Sequence, residues 1–376
     1  MHKKLYAALT LLVLAAMALS ACGGAATAEP VATEAPPEVP EAPVATEAPS
    51  VAPGEAPLAG AGYIACQVSD TGGTDDKSFN QFAWVGMENA RDVLGVDVRF
   101  LESRGEADYE PNINAFVEEG CDMIFGVGYM LDGSLAAAAT ANPDVSFVGI
   151  DIWSPDLTNE LGSYYNIHEG TMLAGYLAAG MTETGIVGVY AGINIPPVTA
   201  FSDGFYMGIQ AYNEAHGTSV RLEGWDPVAQ DGLFTGDFTD TDKGRTMTET
   251  LLDAGADIIM PVAGPVGAGT LAVLEERGTG LMIGVDTDWS AFYPDQAQYV
   301  LASAMKRMDL VVFDAIQAGV MGAFAGGNYT GTLENGRVGM TVGSAWIDQV
   351  PADLMAEIEA LAARIISGEV SAVYPR

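Results

Sequence analysis

Residues 63–84 read YIACQVSDTGGTDDKSFNQFAW. An apolar run, YIACQV, stops at Ser69-Asp70. Two glycines, two adjacent aspartates and a lysine follow, and an amphipathic pattern begins at Ser78. That order predicts a strand, a polar loop and a helix. Ser78 with Gln81 three residues on is a capping-box pattern, which starts the helix at Ser78 and puts Phe79 and Asn80 in its first turn. Phe82, Val85, Gly86, Asn89, Ala90, Val93 and Leu94 supply a helix face. A Phe beside an Asn at the lip of such a junction suits a flat polar ring: the arene stacks on it, while the amide, both donor and acceptor, reads its edge.

The same alternation continues down the chain. Short apolar runs stand at 63–68, 96–101, 121–128, 145–150, 185–191, 219–224, 256–262, 281–286 and 299–303, with helix-length stretches between many of them. This argues for parallel sheets flanked by helices. The strands are too many for one small sheet, so two doubly wound α/β lobes are expected, with a break near 165–185 and a return crossing after 286. Three runs close as QVSD, VGID and IGVD, which places Asp70, Asp151 and Asp286 just past a strand; two others close at Gly128 and Gly264. A single Asp in that position commonly caps the next helix or starts a turn. Ligands of open parallel sheets, however, sit outside the carboxyl ends of the strands. Five such ends together point to one cleft shared by two facing lobes.

Composition narrows the chemistry. The chain has 376 residues and a formal net charge of −35. A surface that acidic repels phosphate backbones, which argues against a nucleic-acid partner. MHKK followed by LYAALTLLVLAAMALSA has the grammar of a signal peptide, 1–21, and Leu19-Ser20-Ala21-Cys22 is similar to the bacterial lipobox, in which the Cys is lipidated. Residues 22–60 then form a Pro/Ala/Glu tether, with eight prolines and six glutamates between 23 and 60, unable to offset its ordering entropy by burial. The expected location is the extracytoplasmic face of the cell membrane, held by a lipid anchor. Cys66 and Cys121 lie in apolar runs; the plain reading is two buried, reduced thiols, with pairing open if their strands are neighbours. Neither has a CxxC or His partner, and His2, His168 and His216 are scattered, so no metal and no cofactor is expected. The loop DFTDTDKG, 237–244, lacks the bidentate Glu of a calcium loop, and GPVGAG, 264–269, lacks the Gly-Lys-Ser/Thr ending of a phosphate loop. No nucleophile–base arrangement stands out, and an enzyme is not expected.

DDKSFNQFAWVGMENA, 75–90, resembles the diagnostic stretch of the basic membrane protein family, the PnrA-like purine nucleoside receptors, which are lipoprotein substrate-binding components of ABC transporters. NIHEGTMLAGYLAA (166–179), FSDGFYMGIQAY (201–212), the stretch 236–271 and GVDTDW (284–289) are similar to further segments of that family. The resemblance implies a type I periplasmic-binding-protein fold in which two lobes close on ligand about a hinge. The lobe boundaries expected are about 61–166 plus 287–320, and 167–286 plus 321–376. It also implies that Asp70 and Asn80 hydrogen-bond a base and Phe79 stacks on it, that Asp151 lines the cleft, and that Gly264, Asp286 and Lys306 engage a sugar. An ionised Asp286 can accept two hydroxyl donors at once, as a ribose cis-diol offers. One departure concerns the second stacking aromatic, expected just before the Ala-Gly loop, where this chain reads IIMPVAG. Met260, Trp153 and Trp289 are the candidates. The expected function is capture of a nucleoside, purine in type, for an ABC permease and ATPase. The alternatives are a sugar or other small polar solute on the same fold, or a surface sensor without a transport role.

Overall fold

The computed structural model describes residues 59–375. The expected signal peptide, Cys22 and the tether up to residue 58 lie outside that range. The first lobe begins with β1 (Ile64–Ser69), α1 (Phe79–Leu94), β2 (Asp97–Glu102), α2 (Tyr109–Glu118), β3 (Met123–Val127), α3 (Asp132–Ala141), β4 (Ser146–Ile150) and β5 (Glu160–Tyr165). The second continues with α4 (Ile167–Met181), β6 (Ile186–Ala191), α5 (Pro196–His216), β7 (Arg221–Glu223), the small hairpin β8 (Trp225–Asp226) and β9 (Asp231–Gly232), α6 (Thr241–Asp253), β10 (Ile258–Val262), α7 (Ala268–Arg277), β11 (Leu281–Asp286), α8 (Trp289–Phe292) and β12 (Val300–Lys306). The chain then returns to the first lobe for α9 (Met308–Val320) and β13 (Gly327–Gly331), and ends in the second with β14 (Val338–Val342) and α10 (Ala352–Ile366).

The strand orders are β13-β5-β4-β3-β1-β2 and β14-β12-β11-β10-β6-β7. All pairs in the first sheet are parallel; in the second only the β12–β14 pair is antiparallel. The central strands β3 and β10 are buried at every position, as expected of strands covered by helices on both faces. This is the doubly wound α/β architecture expected, and all nine apolar runs contain or overlap a strand.

The lobe boundaries differ from expectation. Residues 287–306 belong to the second lobe, because β12 pairs along β11. Residues 327–331 belong to the first, because β13 pairs with β5. Three segments therefore cross between lobes: between β5 and α4, between β12 and α9, and between β13 and β14. Backbone hydrogen bonds tie these crossings together, Asn166 N–H to the Gly331 carbonyl at 2.8 Å and Arg307 N–H to the Arg337 carbonyl at 2.8 Å.

The cysteines also depart from the plain reading. Cys66 in β1 and Cys121 just before β3 form a disulfide, because β1 and β3 are neighbours in the sheet. Two helix pairs pack closely at glycines. Gly86 lets α1 lie against the backbone of Asp309 in α9, and Gly175 of α4 and Gly208 of α5 let those helices approach until a Cβ on either would overlap the facing backbone. The glycines in the two helical motifs thus serve close packing. Among the described residues no helix is long and apolar enough to cross a membrane.

Candidate functional site

The carboxyl ends of both sheets face one cleft, the place where open α/β sheets bind small molecules. Asp70, Phe79, Asn80, Asp151, Gly264, Asp286 and Lys306 all line it. Each is delivered by a strand end or helix start. Asp70 follows β1, Asp151 follows β4, and Asp286 and Lys306 close β11 and β12. Asp151 and Asp286 share an unusual backbone: φ is +60° and +68° respectively, in the left-handed region that Asp tolerates better than most residues. Gly264 also has positive φ, +54°. The two lobes therefore end matched strands with the same turn and aim a carboxylate at the same space.

Phe79 and Asn80 occupy the first turn of α1, as expected, but the capping chemistry differs. The Ser78 hydroxyl caps nothing. Asp76 does the work: its Oδ1 accepts from the N–H groups of Ser78 at 2.8 Å and Gln81 at 3.0 Å, and its Oδ2 accepts from Asn80 N–H at 3.0 Å. A carboxylate with two oxygens satisfies more orphan donors than a hydroxyl and suits the positive end of the helix dipole. Gln81 turns its side chain to Lys77 N–H at 2.8 Å. The Asn80 amide donates to Asp70 Oδ1 at 2.9 Å and to Asp76 Oδ2 at 3.3 Å, which fixes the amide orientation. Its Oδ1 is buried and accepts no hydrogen bond.

Lys306 is the cation of the cleft. Its ammonium donates to Asp151 Oδ2 at 2.8 Å and lies 3.6 Å from Asp286 Oδ1, with side chains only 3%, 7% and 8% exposed in turn. The Asp151 contact joins the lobes. Burial alone would depress the ammonium, but the Asp151 and Asp286 carboxylates outweigh it and hold Lys306 above its ordinary value. Asp286 is pushed up to about 6 by burial, against the pull of Lys306. Asp70 is pushed up to about 7, again chiefly by burial, with the Asn80 hydrogen bond opposing. Asp286 Oδ1 has no hydrogen-bond partner. Acceptors that take no hydrogen bond thus stand on both sides of the cleft, Asn80 Oδ1 from the first lobe and Asp286 Oδ1, ion-paired with Lys306, from the second.

The aromatic lining corrects the expectation for a second stacking group. None of Met260, Trp153 and Trp289 lines the cleft. Met260 and Trp289 are fully buried, and Trp153 is 59% exposed. Trp289 is held in the core by donating Nε1–H to the Val285 carbonyl at 2.9 Å. The cleft instead receives Phe201 from α5, with Phe238 and Tyr129. The Lys306 ammonium lies 5.3 Å from the Phe79 ring centroid and 5.0 Å from that of Phe201, so one ring from each lobe flanks it. Phe201 opens the stretch FSDGFYMGIQAY. Its signal was a Phe near the start of a helix that follows a strand, the same context as Phe79.

Comparison with known proteins decides the family. Residues 64–374 match the family model described as Bmp, ABC transporter substrate-binding protein PnrA-like. The chain belongs to the Bmp family. Within it, the CD4+ T-cell-stimulating antigen of Listeria monocytogenes is 31% identical over 82% of this chain and 87% of its own. The ABC transporter nucleoside-binding protein BmpA of Lactococcus lactis is 29% identical over 75% of this chain and 82% of its own. Among solved structures, an ABC transporter solute-binding protein from Aeropyrum pernix superposes with a TM-score of 0.75 at 27% identity, covering 84% of this chain and 94% of that one. This Bmp protein has the type I periplasmic-binding architecture and is an ABC transporter substrate-binding protein. That class implies a small-molecule ligand, permease and ATPase partners, and an extracytoplasmic, membrane-associated location.

Proposed function

We propose that this protein binds a nucleoside, purine in type, between its lobes and delivers it to an ABC permease while anchored through a lipidated Cys22. The observation that carries the reading is the convergence of a ring from each lobe with acceptors from each lobe that take no hydrogen bond. Phe79 and Phe201 offer faces to a flat base. Asp70 and the Asn80 Oδ1 offer acceptors to the N–H groups of its edge, and Asp286 beside Lys306 offers an acceptor to ribose hydroxyls. A nucleotide is disfavoured, because four carboxylates, Asp70, Asp76, Asp151 and Asp286, line the cleft against one lysine. The name of the Lactococcus relative supports the same ligand class. Binding is reversible capture in this reading, with ligand preferring the closed arrangement.

The deciding experiment is mass spectrometry of whatever small molecule co-purifies, followed by thermal-shift measurements with inosine, guanosine, adenosine and a panel of sugars. Stabilisation by nucleosides supports the reading. Stabilisation by a sugar with no response to any nucleoside overturns it. Release of hypoxanthine from inosine by the purified protein would make it a hydrolase instead.

A further inference from the structure

We propose that Lys77 and Tyr293 form a latch between the lobes, outside the ligand cleft, that holds the closed arrangement. Lys77 belongs to the loop between β1 and α1 in the first lobe; Tyr293 follows α8 in the second. The Lys77 ammonium sits over the Tyr293 ring, 4.7 Å from its centroid. Neither residue lines the cleft, so the contact acts on the lobes rather than on a ligand.

Both sides of the contact are braced. Lys77 has φ of +53°, a conformation that a lysine adopts rarely and that costs free energy unless its surroundings hold it. Here the Gln81 side chain accepts from Lys77 N–H at 2.8 Å, and Asp76 clamps the next turn. The strained loop reaches toward the opposite lobe. Tyr293 stacks on Trp289 with centroids 5.1 Å apart and planes at 15°, and Trp289 is fully buried, so the tyrosine ring moves with the core of its lobe. The contact ties the lobes through side chains rather than through any of the three crossing segments. A cation over an arene is worth enough to change the closed population several-fold.

The test uses the mature protein and five variants: Lys77→Ala, Tyr293→Ala, the double variant, Lys77→Arg and Tyr293→Phe. Small-angle scattering of the ligand-free protein reads the balance of open and closed forms, and stopped-flow release of inosine reads the latch under load. Each alanine variant should enlarge the ligand-free radius of gyration and speed inosine release roughly three- to tenfold. The double variant should be no worse than the worse single one, and the Arg and Phe variants should stay near wild type, since each preserves a cation or a ring face. Unchanged scattering and release in both alanine variants would overturn the latch, and so would additive effects in the double variant. Failure of wild type to bind inosine would count against the nucleoside reading, while the scattering comparison would still decide the latch.

Discussion

Asp70 ties the stability of the fold to pH. Its carboxyl is pushed up to about 7, mainly by burial. Between about pH 4 and about pH 7 the folded chain holds a proton that the unfolded chain has released, so stability falls as pH rises through that window. The ligand-free protein should therefore melt at a higher temperature at pH 5 than at pH 8. Asp286, pushed up to about 6, and Glu160, buried and pushed up to about 7, act in the same direction. Asp70→Asn should flatten the profile without abolishing it; an unchanged slope in melting curves would show that Asp70 titrates normally. For recognition, Phe79→Ala and Asp286→Ala should each weaken nucleoside binding roughly tenfold, through loss of stacking and of a charge-assisted acceptor, while unfolding stays cooperative. Calorimetric titration showing wild-type affinity in both would mean that the ligand sits elsewhere.

Among the elements, α1 carries Phe79 and Asn80 into the cleft. Its start was legible in the chain, because the polar-to-amphipathic switch at Ser78 is a local pattern. Its cap was not, because a capping box and an aspartate two residues upstream compete for the same N–H groups, and only geometry chooses between them. Asp76→Ala should therefore cost about 1–2 kcal/mol in urea denaturation, whereas Ser78→Ala should cost little, since that hydroxyl bonds nothing. A larger loss from Ser78 than from Asp76 would restore the capping box. Strands β5, β13 and β14 escaped detection for a related reason. Their sequences, ELGSYY, GNYTG and VGMTV, lack a long apolar run, and a strand near or at a sheet edge is defined by its neighbour more than by its own propensity.

At the scale of the whole molecule, two covalent and ionic ties organise parts distant in the chain. The Cys66–Cys121 disulfide closes a separation of 55 residues and fastens β1 to the approach of β3. Its removal as the Cys66→Ala/Cys121→Ala double variant should lower stability by about 4 kcal/mol on the loop-entropy view, measured by denaturant unfolding. A loss below ~1 kcal/mol would show that the sheet already holds these strands without it. The Lys306–Asp151 pair spans 155 residues and joins the lobes beside the β12–α9 crossing. Leaving its aspartates without the lysine is expected to cost about 3–5 kcal/mol, so stability assays of Lys306→Met should report a loss of that size even in the absence of ligand.

The chain by itself determined the alternation of strand and helix, the acids and glycines at strand ends, and the start of α1, because each depends on residues close in sequence. Tertiary structure alone decided that Cys66 meets Cys121, that β12 belongs to the second lobe and β13 to the first, that Phe201 rather than a tryptophan joins Phe79 in lining the cleft, and that Lys77 reaches Tyr293. Those facts depend on which strand lies beside which and on how three crossings bring one sheet to face another, and local propensity carries no record of either.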